Sequence, residues 1–167
     1  MRKAQYKDID NIMKIINDAK KSLRKDKVDQ WQKGVPNIEN IKNDIDNQKG
    51  YVYYNKDNIL AYAFLKDGIE ESYEVQEDKF KYKNYLTIHR FCVDGNYRRE
   101  NIATKFFGEI YEYARKRGFD SIRIDTHRDN FKMRGFIRKN KFSKVATVYV
   151  DDNGVKKERI AYELYIN

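Results

Sequence analysis

The sequence predicts a mixed α/β fold in which helices flank a mostly antiparallel sheet. Four segments repeat apolar residues at helical spacing, and six others are rich in the aromatic and β-branched residues typical of strands. The chain has 167 residues, a length typical of one domain, and 40% of them are hydrophobic, which is enough for a buried core. We therefore expect a single domain of this class.

Two helices are predicted before the first long strand. Asp8 can cap a helix that runs to about Arg24, with its apolar residues on one face. Asn37 can cap a second helix, and Gly50 lies just past its end, where a glycine commonly stops a helix.

Strand-forming segments follow the second helix. Residues 51–54 and 59–65 are aromatic and aliphatic, and the tetrad 55–58 between them favours a hairpin turn. The acidic stretch 67–78 has little pattern and is predicted to be a loop or a short edge strand. Residues 85–93 give the clearest strand pattern of the chain.

Helices and strands alternate in the second half. A helix is predicted over 100–117 and a strand over 121–125, and Asp129 can cap the next helix. A hairpin of 144–150 with 156–165 closes the sequence. Because the 100–117 helix joins two strands, the pattern predicts one parallel step in an otherwise antiparallel sheet.

Composition and charge argue against several classes of protein. The mean hydropathy is −0.96, and no apolar run approaches the ~20 residues of a spanning helix, so we expect no membrane partner. The net charge of +9 would suit a nucleic-acid binder, but 26 acidic residues and scattered basic ones argue against that partner. The single cysteine, Cys92, and the absence of an apolar signal core favour a reduced, cytoplasmic setting.

The segment 93–104 has the pattern with the most chemical information. A strand ends at Val93, a short basic loop with Arg98 and Arg99 follows, and a helix begins near Glu100. The N-terminus of a helix favours a phosphate, because it presents unpaired N–H groups and a partial positive charge. On composition alone, an ordinary strand-to-helix turn with exposed arginines fits slightly better.

The stretch His89–Thr104 resembles the acetyl-CoA signature of the GNAT superfamily of N-acetyltransferases. In that signature an Arg or Gln, two variable residues, a Gly, one further residue and a Gly or Ala open the central helix. Here Arg98, Asn101 and Ala103 occupy those positions. The resemblance implies that the backbone at Val93 holds the pantetheine arm and the thioester.

The resemblance extends along most of the chain. Residues 125–127 and 130–133 are similar to the second CoA-contacting segment of the family, and 30–36 with 44–45 to the first-helix region of small bacterial members. It implies acetyl-CoA as co-substrate and no metal. The cofactor contacts that it implies are Val93, Arg98, Arg99, Glu100, Asn101, Ile102, Ala103, Thr104, Asn130 and Met133.

Two positions depart from the family pattern. Asn101 stands where glycine is usual, and asparagine tolerates positive φ, so the turn can form with weaker cofactor binding. Ile137 stands where many members have a tyrosine that protonates the departing thiolate, so that role is not carried over. A thiolate whose conjugate acid has a pKa of ~8.5 can leave without full protonation.

The resemblance implies direct attack of an amine on the thioester. An ammonium group of pKa ~10.4 must first lose a proton, and we name His89 as the candidate base. If side chains alternate along the strand, His89 and Val93 share a face, although a bulge before Val93 would change that. A histidine that only packs against its neighbours is the alternative. Cys92 is expected to be a buried, unreactive thiol.

The acceptor is expected to be a small-molecule or peptide amine. The only concentrated acidic stretch lies between Glu70 and Asp78, in a connection near the acceptor side of a GNAT-like cleft. Carboxylates there would attract a cationic amine, and a solvated loop is the alternative. The predicted acceptor contacts are Trp31, Glu70, Tyr73, Glu74 and Tyr85.

Two questions stay open from the sequence. A non-catalytic CoA-binding or regulatory module is the alternative function, and the departures at Asn101 and Ile137 favour it. The oligomeric state, monomer or homodimer, is not specified.

Overall fold

The computed structural model describes residues 1–56, 58–97, 100–151 and 154–167. The cofactor contacts predicted for Arg98 and Arg99 lie outside the described residues. The elements are β1 (Arg2–Lys3), α1 (Ile9–Lys25), α2 (Ile38–Asp46), β2 (Gly50–Tyr54), β3 (Ile59–Asp67), α3 (Glu71–Glu74), β4 (Tyr85–Val93), α4 (Ile102–Lys116), β5 (Ser121–Thr126), α5 (Phe131–Lys139), β6 (Ser143–Asp151) and β7 (Lys156–Tyr165). The seven strands pair in the order β1–β2–β3–β4–β5–β7–β6.

This architecture confirms the predicted mixed α/β fold with a mostly antiparallel sheet. β4 pairs with β5 in parallel, with Ile88 opposite Ile124, as the intervening helix α4 predicts. The pairs β1–β2, β2–β3, β5–β7 and β6–β7 are antiparallel. Among the described residues, none of the helices is both long and apolar enough to cross a bilayer.

The ends of two helices differ from the prediction. Gly50 does not stop α2: Gln48 has the left-handed φ of 56°, and Gly50 is the first residue of β2. A Cβ at Gly50 would lie 3.0 Å from the Tyr62 hydroxyl, so close packing explains that glycine. Asn130, and not Asp129, caps α5, because its side-chain oxygen accepts a hydrogen bond from the Met133 N–H at 3.1 Å.

Three further details were not predicted. The acidic stretch forms the short helix α3 and a 3-10 turn over Glu77–Lys79, and no edge strand. The two-residue strand β1 is too short to show a periodic pattern. Asp8 does precede α1, but its carboxylate accepts from Arg2 at 2.6 and 2.9 Å and from the Gln5 N–H at 2.8 Å, with no side-chain cap bond to the helix.

The chain forms two compact units. The first contains residues 1–65 and 89–110, and the second contains 66–88 and 111–167. In the first unit α1 and α2 pack on β2, β3 and the end of β4, and this core includes Ile12, Ile16, Ile41, Val52, Tyr62 and Cys92. In the second unit Tyr73, Phe80 and Tyr85 form a core with Ala146 and Val148 of β6 and Ala161 of β7.

Candidate active site

The turn predicted to bind the cofactor lies in the first unit, between β4 and α4. After Val93, the Asp94 backbone N–H donates to the Leu60 carbonyl at 2.8 Å. The Asp94 carboxylate accepts from the Asn96 N–H at 2.9 Å. These two bonds fix the direction of the chain as it leaves the strand.

The backbone is left-handed immediately before α4 begins. Asn101 has a φ of 58°, the left-handed conformation expected where the resemblance has glycine. The first intrahelical bond runs from the Lys105 N–H to the Asn101 carbonyl at 2.9 Å. The N–H groups of residues 102–104 precede that bond, and the first N–H groups of an α-helix have no partner within the helix itself. These donors, together with the helix dipole, fit a phosphate.

The side chains of this turn differ in exposure. Ile102 is buried, so only its backbone can contact a ligand. Ala103 and Thr104 are half-buried, and Glu100 is exposed just before the helix. The cofactor contacts of these residues stay predictions.

β4 is irregular in the part that carries the candidate base. Arg90 has a φ of 53° in the middle of the strand. The His89 ring lies 5.9 Å from the Phe64 ring, and the Arg90 guanidinium lies 4.8 Å above that same ring. The consecutive side chains of His89 and Arg90 thus both approach the Phe64 ring, as at a β-bulge. We call this irregular point of β4 the bulge at Arg90. The regular alternation that would have placed His89 and Val93 on one face is therefore interrupted between them.

A buried carboxylate lies beside this bulge, and the sequence reasoning assigned it no role. Asp44 of α2 is 1% exposed and accepts from the Tyr62 hydroxyl at 2.6 Å and from Arg90 Nη1 at 3.2 Å. Burial raises the pKa of Asp44, although Arg90, Tyr62 and His89 oppose the shift. Its position, three residues after Ile41 on the apolar face of α2, is the signal that could have revealed it.

Two tyrosines predicted to contact the acceptor lie in the core of the second unit. Tyr73 is fully buried, and its hydroxyl donates to Asp125 at 2.8 Å. Tyr85 is buried, and its hydroxyl accepts from the Glu70 N–H at 2.9 Å. Their aromatic rings pack in the core, and the contact of these side chains with an acceptor stays a prediction.

The acidic stretch of the second unit is partly neutralised by its own neighbours. Glu70 accepts from Lys66 Nζ at 3.1 Å, and Glu77 accepts from Arg123 Nη1 at 2.8 Å. Glu74 stays exposed. The charge available to attract a cationic amine is therefore smaller than the sequence suggested.

Arg123 of β5 is the centre of a buried polar cluster that the sequence did not indicate. Its guanidinium is fully buried and donates to Glu77, to the Glu163 carboxylate at 3.2 Å and to the Tyr82 carbonyl. It also lies 3.5 Å above the Tyr85 ring. The cluster ties the segment after α3 to β5 and β7 within the second unit.

The remaining predicted site residues have structural partners. Trp31, with a φ of 67°, is half-buried and packs against the core of the first unit. The spacing of Asn130 and Met133 is explained by the cap of α5, and their contact with CoA stays a prediction. Burial raises the pKa of the Cys92 thiol to about 12, which agrees with an unreactive cysteine. In the described part of the chain, no group of three or more His, Cys, Asp and Glu side chains could hold a metal ion.

Comparison with known proteins adds independent evidence. The family model of the Acetyltransferase (GNAT) family matches residues 14–142. A comparison with curated protein sequences found no match. Solved structures, in contrast, match the fold over nearly the whole chain.

Three examples among these structures are named as acetyltransferases. A GNAT family acetyltransferase from Streptococcus agalactiae 2603 is 29% identical, covers 99% of this chain and 94% of its own, and has a TM-score of 0.85. An N-acetyltransferase from Staphylococcus aureus Mu50 is 16% identical over 99% of this chain and 97% of its own, with a TM-score of 0.72. A ribosomal-protein-alanine N-acetyltransferase from Brucella melitensis is 17% identical over 98% of both chains, with a TM-score of 0.70. The chain therefore belongs to the GNAT family of acetyltransferases.

Proposed function

We propose that this acetyltransferase moves the acetyl group of acetyl-CoA to a primary amine of a small molecule or peptide. The observation that supports the proposal most strongly is the left-handed Asn101 at the start of α4, in a member of this family. That conformation lets the chain turn from β4 into α4, and it presents the first N–H groups of the helix at this turn.

The first turn of α4 binds the pyrophosphate in this proposal, and the end of β4 holds the thioester. The N–H groups of residues 102–104 donate to phosphate oxygens, where the helix dipole adds to the attraction. The backbone around Val93 lies beside the acetyl group and donates to the oxyanion as it forms. The half-buried Ala103 and Thr104 leave room for the phosphates.

The transfer itself requires a neutral amine. His89 accepts the proton of the acceptor ammonium, and the amine nitrogen then bonds to the thioester carbonyl carbon. The carbon–sulfur bond breaks, and CoA leaves as a thiolate. As the amide forms, its nitrogen loses a second proton. Ile137 is fully buried and has no hydroxyl to supply one, so this proton passes from the nitrogen to the thiolate through water.

A cationic acceptor is favoured by the exposed carboxylates of the acidic stretch. Glu71, Glu74 and Asp78 are exposed, whereas the carboxylates of Glu70 and Glu77 are held by Lys66 and Arg123. An exposed negative cluster in a protein of net charge +9 raises the local concentration of a cationic amine. Glu74→Gln should therefore raise the KM for a polyamine at low salt, with the KM for acetyl-CoA unchanged.

Release of free thiol from acetyl-CoA tests the function. A panel of polyamines, amino acids, aminoglycosides and peptides with free N-termini should contain an acceptor that accelerates release. The chain has two histidines, which provides a matched control. His89→Gln should lower kcat by about 100-fold or more, the usual size of a general-base effect, and His127→Gln should change it little. Equal effects of the two substitutions would refute His89 as the base.

A non-catalytic CoA-binding module is the second candidate, and the buried Ile137 favours it. The same assay separates the two. Tight binding of acetyl-CoA with no acceptor-dependent thiol release across the panel would favour the binding module over the enzyme.

A further inference from the structure

Arg90 is an outlier in the backbone of β4. Among the described residues, it is the one non-glycine residue with positive φ that lies inside a strand, since the others lie in turns or at helix ends. The left-handed conformation is unfavourable for a residue with a Cβ. Such conformations persist where the surrounding structure holds them, and they cluster at functional sites.

The contacts that hold Arg90 come from two other elements of the first unit. Its Nη1 donates to Asp44 of α2 at 3.2 Å, and its guanidinium lies 4.8 Å above the Phe64 ring of β3. The Asp44 side chain is 1% exposed, and its other oxygen accepts from the Tyr62 hydroxyl at 2.6 Å. A carboxylate buried to this degree needs a cationic partner, so the ion pair ties α2 to the bulge.

The bulge determines which way the last residues of β4 point. After Arg90, the Phe91 ring stacks on Phe106 of α4 at 5.4 Å, and Cys92 packs into the core with its Sγ 3.8 Å from the Tyr62 carbonyl. Removing the extra residue of a bulge shifts the strand by one position, which turns every following side chain to the other face.

We propose that Asp44 is a positioning residue that holds the left-handed Arg90, and thereby fixes the direction of residues 91–93 beside the thioester. This role rests on the proposed acetyl transfer, because its effect on rate requires a thioester at the end of β4. Asp44 does not touch the reacting atoms in this account. It acts through Arg90 and the backbone.

Two substitutions separate the parts of this account. Asp44→Asn keeps an oxygen for Tyr62 but removes the charge that holds Arg90. Arg90→Gly removes the guanidinium, yet glycine adopts positive φ freely, so the bulge should survive without its clamp. Asp46→Asn is the matched control, because Asp46 is an exposed residue of the same helix and also accepts from a tyrosine, Tyr6, at 2.6 Å.

We expect kcat to fall in Asp44→Asn and to stay near the parent value in Arg90→Gly/Asp44→Asn. Asp44→Asn should lower kcat by roughly 10- to 100-fold, the size expected when reacting groups move by about 1 Å, with little change in the KM for acetyl-CoA. The double variant Arg90→Gly/Asp44→Asn should stay within about threefold of the parent, because glycine keeps the bulge and no buried charge is left without a partner. Losses that multiply in the double variant, or an unchanged kcat in Asp44→Asn, would overturn the proposal.

Cys92 gives a second readout that does not depend on activity. It is the one cysteine of the chain and is buried next to the bulge, so a disulfide reagent labels it only when this part of β4 rearranges or opens. Labelling of the folded protein should be about tenfold faster in Asp44→Asn and near the parent rate in Asp46→Asn and in the double variant Arg90→Gly/Asp44→Asn, which leaves no buried charge unpaired. If neither the parent nor any variant transfers acetyl groups, the proposed function fails. The labelling pattern still tests whether Asp44 holds Arg90 in place. Equal labelling of Asp44→Asn and the parent would refute it.

Discussion

Replacing Arg123 by methionine should destabilise the protein strongly. Methionine keeps an unbranched apolar chain but removes the guanidinium, which is fully buried. The Glu163 carboxylate, also fully buried, would keep the Ser121 hydroxyl at 2.8 Å and the Lys81 N–H at 3.0 Å as donors, but no cation among the described residues that contact it. Breaking a buried ion pair from one side costs about 3–5 kcal/mol, because the remaining charge has no partner. We expect a loss of that size in the free energy of unfolding.

An exposed ion pair of the same unit provides the control. Arg115 donates to Glu112 at 2.8 Å, and both side chains are half exposed. Such pairs contribute about 0–1 kcal/mol, so Arg115→Met should change stability little. Adding Glu163→Gln to Arg123→Met should recover much of the loss, because glutamine removes the unpaired charge and retains a hydrogen-bonding oxygen.

Urea denaturation followed by far-UV circular dichroism measures these differences. The midpoint should fall in Arg123→Met with the slope unchanged, which indicates a change in stability alone. In a thermal scan the loss corresponds to a lower Tm by about 6–20 °C, at roughly 2–4 °C per kcal/mol for a chain of this size. The reasoning is refuted if Arg123→Met and Arg115→Met destabilise the protein equally.

Three other predictions concern stability. Asn101→Ala should be less stable than Asn101→Gly by about 1–2 kcal/mol in urea denaturation, because alanine disfavours the φ of 58°. Burial alone would raise the pKa of Asp8, but its bonds from Arg2 and the Gln5 N–H outweigh burial and hold the pKa below its usual value. This stabilisation exists above about pH 3.9 and is lost as the pH falls, so the gap in unfolding free energy between the parent and Asp8→Asn should narrow in acid. Asn130→Ala should cost about 1 kcal/mol by calorimetry, since it removes the cap of α5.

The sequence predicts local features well because they depend on neighbours along the chain. The strand Tyr85–Val93 and the helix after it follow from periodicity, and the left-handed Asn101 follows from its place in a turn pattern. β5 shows the limit. In this strand Arg123 alternates with isoleucines, a pattern typical of a strand with one face in solvent. In the structure, however, aromatic residues of the 73–85 segment cover the face that carries Arg123.

In the candidate site, too, local features follow from the sequence and long-range contacts do not. The turn proposed to bind the cofactor is a contiguous segment, so a sequence pattern can point to its residues. The pair of Asp44 and Arg90 joins residues 46 positions apart, and no local pattern encodes such a contact. The bulge at Arg90 also interrupts the alternation that would have placed His89 and Val93 on one face, because a single irregular residue changes the alternation of every residue after it.

Binding of acetyl-CoA at the start of α4 is the central claim, and a thermal shift in three proteins tests it most directly. At a ligand concentration one hundred times Kd, binding stabilises the folded state by ~2.7 kcal/mol, which should raise the Tm of the parent by roughly 5–11 °C. Ala103→Glu should abolish the shift, because its carboxylate would lie against the pyrophosphate, whereas the neutral Ala103→Gln should retain part of it. A shift of equal size in Ala103→Glu and the parent, or no shift in the parent, would contradict the assignment.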